Sequence, residues 1–304
     1  MRKNKMLNPD VEYSKKFLRK RGGNKKQVNR SIAGNILMFL FLLIFGAFMV
    51  LPLIYTAVTA FKPLNELFIF PPRFYVINPT ADNFSTMMRL ISSSRVPFSR
   101  YLFNSILVAV GGTVLGILIG AMTAYPLAKH KFKGKIVLYN IVVWAMMFRG
   151  EVLGIPQYLI IANLGMINTY WSVLLPALAG TMGVFLMRQF MESNIPDTVL
   201  EAARIDGAGE WFVFWRIAMP NVKPAWLTLA IFSFQGMWHQ TGSTYIYNEP
   251  MKMLPTALSQ ITSGGVSRQG AAAAVALVMM IPPIVLFIFS QSSIMETMST
   301  SGLK

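Results

Sequence analysis

Five long stretches of this sequence contain no charged residue, and they constrain the fold more than any other feature. A helix needs roughly 20 consecutive apolar residues to cross the ~30 Å hydrocarbon core of a bilayer. Each stretch is long enough, and only 13% of the chain is charged, against about 25% in soluble domains. The stretches are 31–61, 101–128, 152–187, 224–248 and 269–295. The sequence therefore predicts an all-α integral membrane protein that crosses the bilayer several times.

We predict six transmembrane helices, of which the third is the least regular. Arg149 and Glu151 interrupt it, and the segment 136–148 before them holds only 13 residues. One interpretation continues helix 3 through the interruption and leaves two ionised groups at mid-depth, where they must face protein or water. The other ends it near Phe148 and makes 155–163 a separate short helix. The six predicted helices are 32–60, 101–128, 136–163, 170–190, 225–247 and 270–294.

The distribution of basic residues predicts how these helices are oriented. Residues 1–30 contain eleven Lys or Arg and two acidic residues, and basic segments beside a span stay in the cytoplasm. With an even number of spans both termini are cytoplasmic, and the four lysines of loop 129–135 also lie inside. Loop 62–100 is the exception, because this topology places its five basic residues outside. The basic tail is too long for the n-region of a signal peptide, so we expect helix 1 to be retained.

The composition also excludes several classes of function. The net charge of +16 is concentrated in a tail and short loops, where it orients the chain and attracts anionic lipid heads, so we expect no nucleic-acid partner. The absence of cysteine excludes disulfides and thiolate metal sites. The sequence has no phosphate loop of the Gly-x-x-x-x-Gly-Lys type and no catalytic motif. We therefore expect a non-catalytic chain that binds neither ATP nor a metal.

The segment between the fourth and fifth predicted spans carries the most specific motif. It has the sequence EAARIDG at 201–207 and IAMP at 217–220, with nine residues between Gly207 and Ile217. This pattern resembles the Glu-Ala-Ala signature of the membrane subunits of ATP-binding-cassette importers. Met219 stands where that family usually has leucine, a swap that conserves volume. The residues to which the resemblance assigns ATPase coupling are Glu201, Ala202, Ala203, Arg204, Asp206 and Gly207.

Local signals predict two short helices in this segment. Pro196 and Asp197 favour the start of the first helix, and Gly207 favours its end because glycine adopts positive φ freely. Asp206 is expected to cap the turn or the next helix. A second helix over 210–218 should end at Pro220, which cannot continue a regular helix. Its expected apolar face consists of Trp211, Phe214, Trp215 and Ala218.

The resemblance implies a complex of several subunits. This chain would form half of a pore with a second homologous permease, while two separate ATPase subunits bind ATP and Mg. An extracellular solute-binding protein would deliver the solute. The first helix of the coupling loop 191–224 would seat in a cleft of the ATPase; periodicity alone also allows a helix lying on the bilayer surface. The implied domains are a basic cytoplasmic tail (1–30), a six-helix permease domain (31–294) and a cytoplasmic C-terminal tail (295–304).

Other segments resemble the carbohydrate-uptake branch of that family, in particular the smaller of the two maltose-transporter permeases. They are Asn83-Phe84, Asn104-Ser105, Asn168 to Ser172, Leu175-Pro176 and Gly302 to Lys304. Residues 295–304 are similar to the Gram-positive group that imports complex oligosaccharides, including plant cell-wall fragments. The resemblance thus implies sugar or oligosaccharide import at the plasma membrane of a bacterium. There are two alternatives, an importer of a non-sugar solute and an ion-coupled secondary transporter. The second would need carboxylates or histidines inside the membrane, and Glu151 and His239 are the only such residues in the predicted spans.

Substrate contacts are expected from polar and aromatic residues within the predicted spans. Gln235, Trp238 and His239 share one face of helix 5, and they either line the pathway or pack between helices. Arg149 has the forked geometry that recognises a carboxylate, as in acidic oligosaccharides; pairing with Glu151 is the competing interpretation. Loop 248–269, rich in Ser, Gly, Thr and Gln, is expected to reach outward and contact the delivery protein.

Overall fold

The computed structural model of the chain describes residues 32–92, 95–148 and 150–301. The regular structure of these residues is entirely helical, with no strand among them, as predicted. A π-helix lies at Val213–Ala218, and 3₁₀ turns lie at Glu249–Met251 and Val266–Arg268. The α-helices are α1 (Ile32–Ala60), α2 (Leu64–Leu67), α3 (Asp82–Ser92), α4 (Phe98–Lys129), α5 (Lys135–Ala145), α6 (Gly150–Asn163), α7 (Trp171–Leu178), α8 (Thr181–Asn194), α9 (Asp197–Ile205), α10 (Glu210–Phe212), α11 (Met219–Asn221), α12 (Lys223–Trp238), α13 (Leu254–Thr262) and α14 (Gln269–Ser301).

Within the described residues, four helical segments are long and apolar enough to cross a membrane. They are α1, α4, the pair α7 and α8, and the first part of α14, with the bounds Ile32–Ala60, Phe98–Lys129, Trp171–Asn194 and Gln269–Gln291. These segments match the first, second, fourth and sixth predicted spans. Many of their apolar side chains are exposed, which is expected of surfaces that face lipid or another subunit.

The third and fifth predicted helices differ from expectation. Of the two interpretations of helix 3, the structure is closer to the divided one, because two helices of 11 and 14 residues, α5 and α6, replace a continuous span. The second of them begins at Gly150 rather than at residue 155, and each is shorter than the roughly 20 residues of a crossing. The predicted end of helix 5 at Tyr247 is wrong, because α12 ends at Trp238. The chain turns at Gly242, whose φ is +64° and whose carbonyl accepts from the N–H groups of Tyr245 and Ile246. Such left-handed backbone cannot continue a helix.

The chain divides into two compact units, 1–53 and 54–304. In the first unit, the described residues 32–53 belong to α1. The second unit is organised around α4, which packs against α7, α8 and α12. A β-carbon at Gly120 of α4 would lie 3.5 Å from the carbonyl carbon of Gly183 in α8. Small residues thus let these two helices approach closely, as is common between helices in membranes.

Contacts at the two ends of α4 place the connecting segments at opposite ends of the bundle. Near its start, the side-chain amide of Asn104 donates to the carbonyls of Pro250 and Lys252, both at 2.9 Å. At its last residue, Lys129 Nζ lies 2.8 Å from Asp197 Oδ1. α4 has 32 residues and is therefore about 48 Å long at 1.5 Å per residue. The segment after α12 and the helix α9 are accordingly separated by most of a membrane thickness.

Candidate coupling site

α9 has the bounds that its sequence predicts, Asp197–Ile205, with Pro196 as the N-cap residue. The helix ends in two hydrogen bonds that define a Schellman motif. Ala208 N–H donates to Ala203 O at 3.0 Å, and Gly207 N–H donates to Arg204 O at 3.1 Å. Gly207 has a φ of +78°, which an L-residue rarely adopts. This geometry explains why the motif needs glycine four residues after its second alanine.

The exposure of the motif residues fits a helix that is fixed on one side and free on the other. Leu200 is only 1% exposed and belongs to a core cluster with residues of α4 and α8, and Ala203 packs against that cluster. Glu201, Ala202 and Arg204 lie on the exposed surface. The small Ala202 would allow close approach by a partner backbone. The free face of α9 is therefore available for docking.

Asp206 does not cap the following helix. It is the C-cap residue of α9, and its N–H donates to Ala202 O at 3.0 Å. The next helix, α10, has Gly209 as its N-cap residue, with no side-chain capping hydrogen bond. Asp206 is exposed in the turn beside Gly207.

The start of α9 is tied to the end of α4 by Lys129. Its ammonium group donates to Asp197 Oδ1 at 2.8 Å and to Ile195 O at 2.7 Å. The Lys129 side chain is 5% exposed, whereas that of Asp197 is 75% exposed. The hydrogen bond and the charge of Lys129 hold the pKa of Asp197 below its ordinary value. The contact therefore persists at neutral pH.

The end of α9 is tied to α4 through Glu210, the first residue of α10. Arg204 Nε donates to Glu210 Oε1 at 2.8 Å, and the hydroxyl of Tyr125 donates to Oε2 at 3.2 Å. His130 Nε2 lies 3.3 Å from the same Oε2. The hydrogen bond from Arg204 holds the pKa of Glu210 below its ordinary value. One carboxylate thus bridges α9 and the last turn of α4.

The second predicted helix of the loop has a different register from the expected one. Residues 213–218 form a π-helix, whose i→i+5 hydrogen bonds widen the turn. The structure buries Val213, Phe214 and Ala218, whereas Trp211 and Trp215 are exposed. The predicted apolar face is therefore half wrong. Pro220 does not stop the helix as expected, since α11 includes it and α12 begins three residues after it, at Lys223.

A polar cavity of about 340 Å³ lies where α9 meets the end of α4. Both contacts between these helices form part of its wall. Its lining residues are Lys129, His130, Lys131, Asp197, Leu200, Glu201, Arg204 and Glu210. Charged side chains thus line the junction of the two helices beside the apolar contact that Leu200 makes with α4.

The expected substrate residues of helix 5 do not share one environment. Trp238 is 1% exposed and its ring stacks on Phe234 with a centroid distance of 5.9 Å. Gln235 is exposed, and His239 is the exposed C-cap residue of α12. The structure therefore places Trp238 in helix packing, while a pathway role for Gln235 and His239 remains a prediction. Arg149 lies outside the described residues, and Glu151 is described only as a backbone position of α6.

The buried indole of Trp238 has a hydrogen-bond partner in α14. Its indole N–H donates to Met279 O in α14 at 2.9 Å. Four residues further along α14 is Pro283, which has no N–H to offer that carbonyl. Trp238 thus supplies the hydrogen bond that the proline removes, in a region where water is scarce.

Comparison with known proteins identifies the family. Residues 112–297 match the family described as the binding-protein-dependent transport system inner membrane component. The chain belongs to this family. The matched residues include the whole coupling motif, so the family predicted from that motif is confirmed. The chain is a membrane permease of an importer that depends on a solute-binding protein, and the family consists of transport components rather than enzymes.

Individual relatives agree with this assignment. The permease is 34% identical over 224 residues to Protein LplC of Bacillus subtilis strain 168, covering 71% of this chain and 72% of LplC. It is 29% identical over 234 residues to the diacetylchitobiose uptake system permease protein NgcG of Streptomyces coelicolor, covering 76% of this chain and 72% of NgcG.

A solved structure shares the fold. In the crystal structure of a bacterial ABC transporter involved in the import of the acidic polysaccharide alginate, one chain aligns with a TM-score of 0.72 at 21% identity. The alignment covers 87% of the permease and 98% of that chain. The permease fold predicted from the sequence is therefore confirmed at the level of an all-helical, multi-pass membrane protein.

Sequence reasoning missed the residues that connect the parts of the permease. Lys129 entered only as an orientation signal and Glu210 only as a helix start, although both bind α9 to α4. Three asparagines in the segments that resemble the family each bridge two backbone groups of a distant segment. They are Asn83 with the carbonyls of Ala60 and Lys62, Asn104 with those of Pro250 and Lys252, and Asn168 with the N–H groups of Tyr247 and Asn248.

Proposed function

We propose that this permease imports a sugar or oligosaccharide, driven by a separate ATPase that docks on α9. The observation that carries this proposal is the geometry of α9. The helix is anchored through Leu200 and held at both ends by ion pairs, and it exposes Glu201 and Ala202. A short rigid helix with a small, polar free face suits a cleft in a partner protein.

The saccharide assignment rests on relatives and on segments of the chain itself. The name of NgcG assigns diacetylchitobiose uptake to that relative. The segments around Asn83, Asn104 and Asn168 resemble the carbohydrate-uptake branch, and each is a structural bridge in this permease. For an acidic saccharide we propose Arg149 as the group that recognises the carboxylate, because guanidinium binds carboxylates in a bidentate manner. Gln235 and His239 are proposed to line the pathway.

We propose six membrane crossings, with α5 and α6 together forming the third and α12 the fifth. The contacts of Asn104 and Lys129 at the two ends of α4 support this arrangement, because they place the segment after α12 and the helix α9 at opposite ends of the bundle. The basic residues of 1–30 and of loop 129–135 favour the cytoplasm for the α9 end. Both termini then lie in the cytoplasm. The proposed domains are the tail 1–30, the permease domain 31–294, with coupling loop 191–224, and the tail 295–304.

The proposed complex contains a second homologous permease and two ATPase subunits beside the solute-binding protein. ATP and Mg would be held by the ATPase subunits and no cofactor by this chain. Closure of the ATPases would move α9 and rock the helices between outward-open and inward-open arrangements.

Co-purification and uptake test this function. The affinity-tagged permease, expressed with its neighbouring genes, is expected to retain a second permease and an ATPase. Proteoliposomes with the cognate binding protein should import one member of a panel that includes diacetylchitobiose and oligogalacturonate. Glu201→Lys should leave the permease inserted but abolish ATPase retention. Uptake by the purified permease without any ATPase would contradict the proposal.

The acidic-saccharide element has its own test. Arg149→Gln should reduce uptake of oligogalacturonate and spare a neutral oligosaccharide of the same length. An equal loss of both would show that Arg149 supports the structure of the permease rather than recognition of a carboxylate.

A further inference from the structure

The contacts between α9 and α4 have a common arrangement. Asp197 at the first turn of α9 binds Lys129, and Arg204 at its last turn binds Glu210, which also contacts Tyr125 and His130. Every α4 partner in this set lies in the last five residues of α4 or at its C-cap. α9 is therefore held at two points, one helix length apart, against the same end of one transmembrane helix.

The middle of α9 adds a third point. Leu200 lies in the same buried cluster as Tyr125 and Ala128 of α4. A helix that is fixed at its start, middle and end cannot pivot about any one contact. α9 and the last turn of α4 should accordingly move together.

α4 is the helix through which such a movement would reach the rest of the permease. It packs against α7, α8 and α12 within the bundle, and its outer end binds the segment 249–254 through Asn104 and Ser105. The covalent route from α9 leads instead to α8 on one side and, through the π-helix, to α12 on the other.

We infer that Lys129 and Glu210 are positioning residues that clamp the coupling helix to α4, so that ATPase movement enters the membrane through α4 rather than along the covalent connections. This inference rests on the proposed docking of the ATPase on α9. Each pair has a carboxylate side chain that water reaches, since Asp197 is 75% and Glu210 is 49% exposed, and ion pairs of this kind contribute little to stability. Their removal should therefore leave the fold and the docking face in place while loosening the clamp.

A spin label on α4 tests the inference without any knowledge of the solute. The chain has no cysteine, so Ile106→Cys, an exposed position in the outer half of α4, can be labelled alone. The labelled permease is purified as the complete complex with its ATPase, and spectra are recorded before and after addition of ATP and vanadate. Lys129→Gln, Glu210→Gln and the double variant are compared with the unsubstituted protein.

The matched control is Glu192→Gln. It removes an ion pair with Arg188 inside α8, at 3.1 Å, and its carboxylate is 46% exposed, close to the 49% of Glu210. We expect the change that ATP and vanadate cause in the spectrum of the label at residue 106 to be at least about twofold smaller in the double variant. A reduction of about twofold is the lower end of the effect seen for residues on a coupling route. Glu192→Gln should leave it unchanged.

The outcomes separate this inference from the proposed function. An unchanged response in the double variant, with the ATPase still bound, would overturn the clamp and leave the function standing. Absence of any response at residue 106 in the unsubstituted complex would also overturn it, because α4 would then not be driven. Loss of ATPase from the double variant would also overturn the clamp, because it would show that these residues act in docking. Absence of ATPase from the unsubstituted complex would refute the proposed function as well.

Discussion

Replacement of Trp238 by phenylalanine tests how the helices α12 and α14 are held together. Trp238 is 1% exposed, and its indole N–H donates to Met279 O at 2.9 Å. Trp238→Phe keeps an aromatic ring against Phe234 but removes the donor. The carbonyl is left without a partner because Pro283, four residues on, has no N–H.

The expected magnitude follows from the hydrogen bond. An unsatisfied buried polar group costs about 1–3 kcal/mol, whereas hydrogen bonds between membrane helices average about 0.6 and reach about 1.7 kcal/mol. We therefore expect Trp238→Phe to lower the free energy of unfolding by about 1–2 kcal/mol. Adding Pro283→Ala restores a backbone N–H within α14, so it should recover part of this loss.

The assay is reversible unfolding in mixed detergent micelles followed by far-ultraviolet circular dichroism. The double variant should be more stable than the sum of the two single changes predicts, which is a favourable coupling energy in a double-mutant cycle. Trp144→Phe on α5, where the side chain is exposed, controls for the loss of an indole ring. Additive effects of Trp238→Phe and Pro283→Ala would show that the indole N–H does not replace the N–H that Pro283 lacks.

Three further changes can be measured in the same assay. Gly207→Ala should lower the free energy of unfolding by only about 1 kcal/mol, which is the cost of a φ of +78° for an L-residue. No atom lies within 4 Å of the added β-carbon, so a larger loss of stability would mean that the turn is packed more tightly than described. Asn168→Gly allows the same backbone φ of +59° but removes the side-chain oxygen that accepts from Tyr247 N–H at 2.6 Å. We expect the free energy of unfolding to fall by about 1 kcal/mol, and an unchanged value would contradict the bridging role of Asn168. The pKa of Asp197 is lowered by Lys129, so the stabilisation by this pair is present above the unfolded value of about 3.9 and is lost as pH falls through the lower native value. Unfolding midpoints of Lys129→Gln and the unsubstituted protein should therefore differ by a constant amount from about pH 5 to 8 and converge only below about pH 4; convergence near neutral pH would contradict this assignment.

The parts of the fold that local chemistry determines were predictable from the sequence. The bounds of α9 follow from Pro196 and Asp197 at its start and Gly207 at its end, all within a dozen residues of one another. Four of the six predicted spans likewise coincide with helical segments long and apolar enough to cross a membrane. These features depend on neighbours along the chain, which sequence patterns record.

Features set by distant neighbours were not predictable. The π-helix at 213–218 changes which aromatic residues are buried, and its register depends on packing against Tyr125 of α4, whose ring lies 5.4 Å from that of Phe214. Helical spacing grouped Trp238 with Gln235 and His239, although its partner Met279 is 41 residues away. The proline pair in α14 was a usable signal, because a proline in a membrane helix requires another donor for the carbonyl it frees.

Crosslinking from α9 measures whether this helix lies against an ATPase subunit in the assembled complex. In the cysteine-free chain, Ala202→Cys on the free face of α9 can carry a photoreactive thiol reagent in the assembled complex. Ser263→Cys, an exposed position just after α13 and at the opposite end of the bundle, is the control. We predict that the Ala202→Cys protein forms a covalent product with an ATPase subunit and that the Ser263→Cys protein does not. An efficiently labelled Ala202→Cys protein that yields only lipid adducts, while the ATPase is present in the complex, would contradict it.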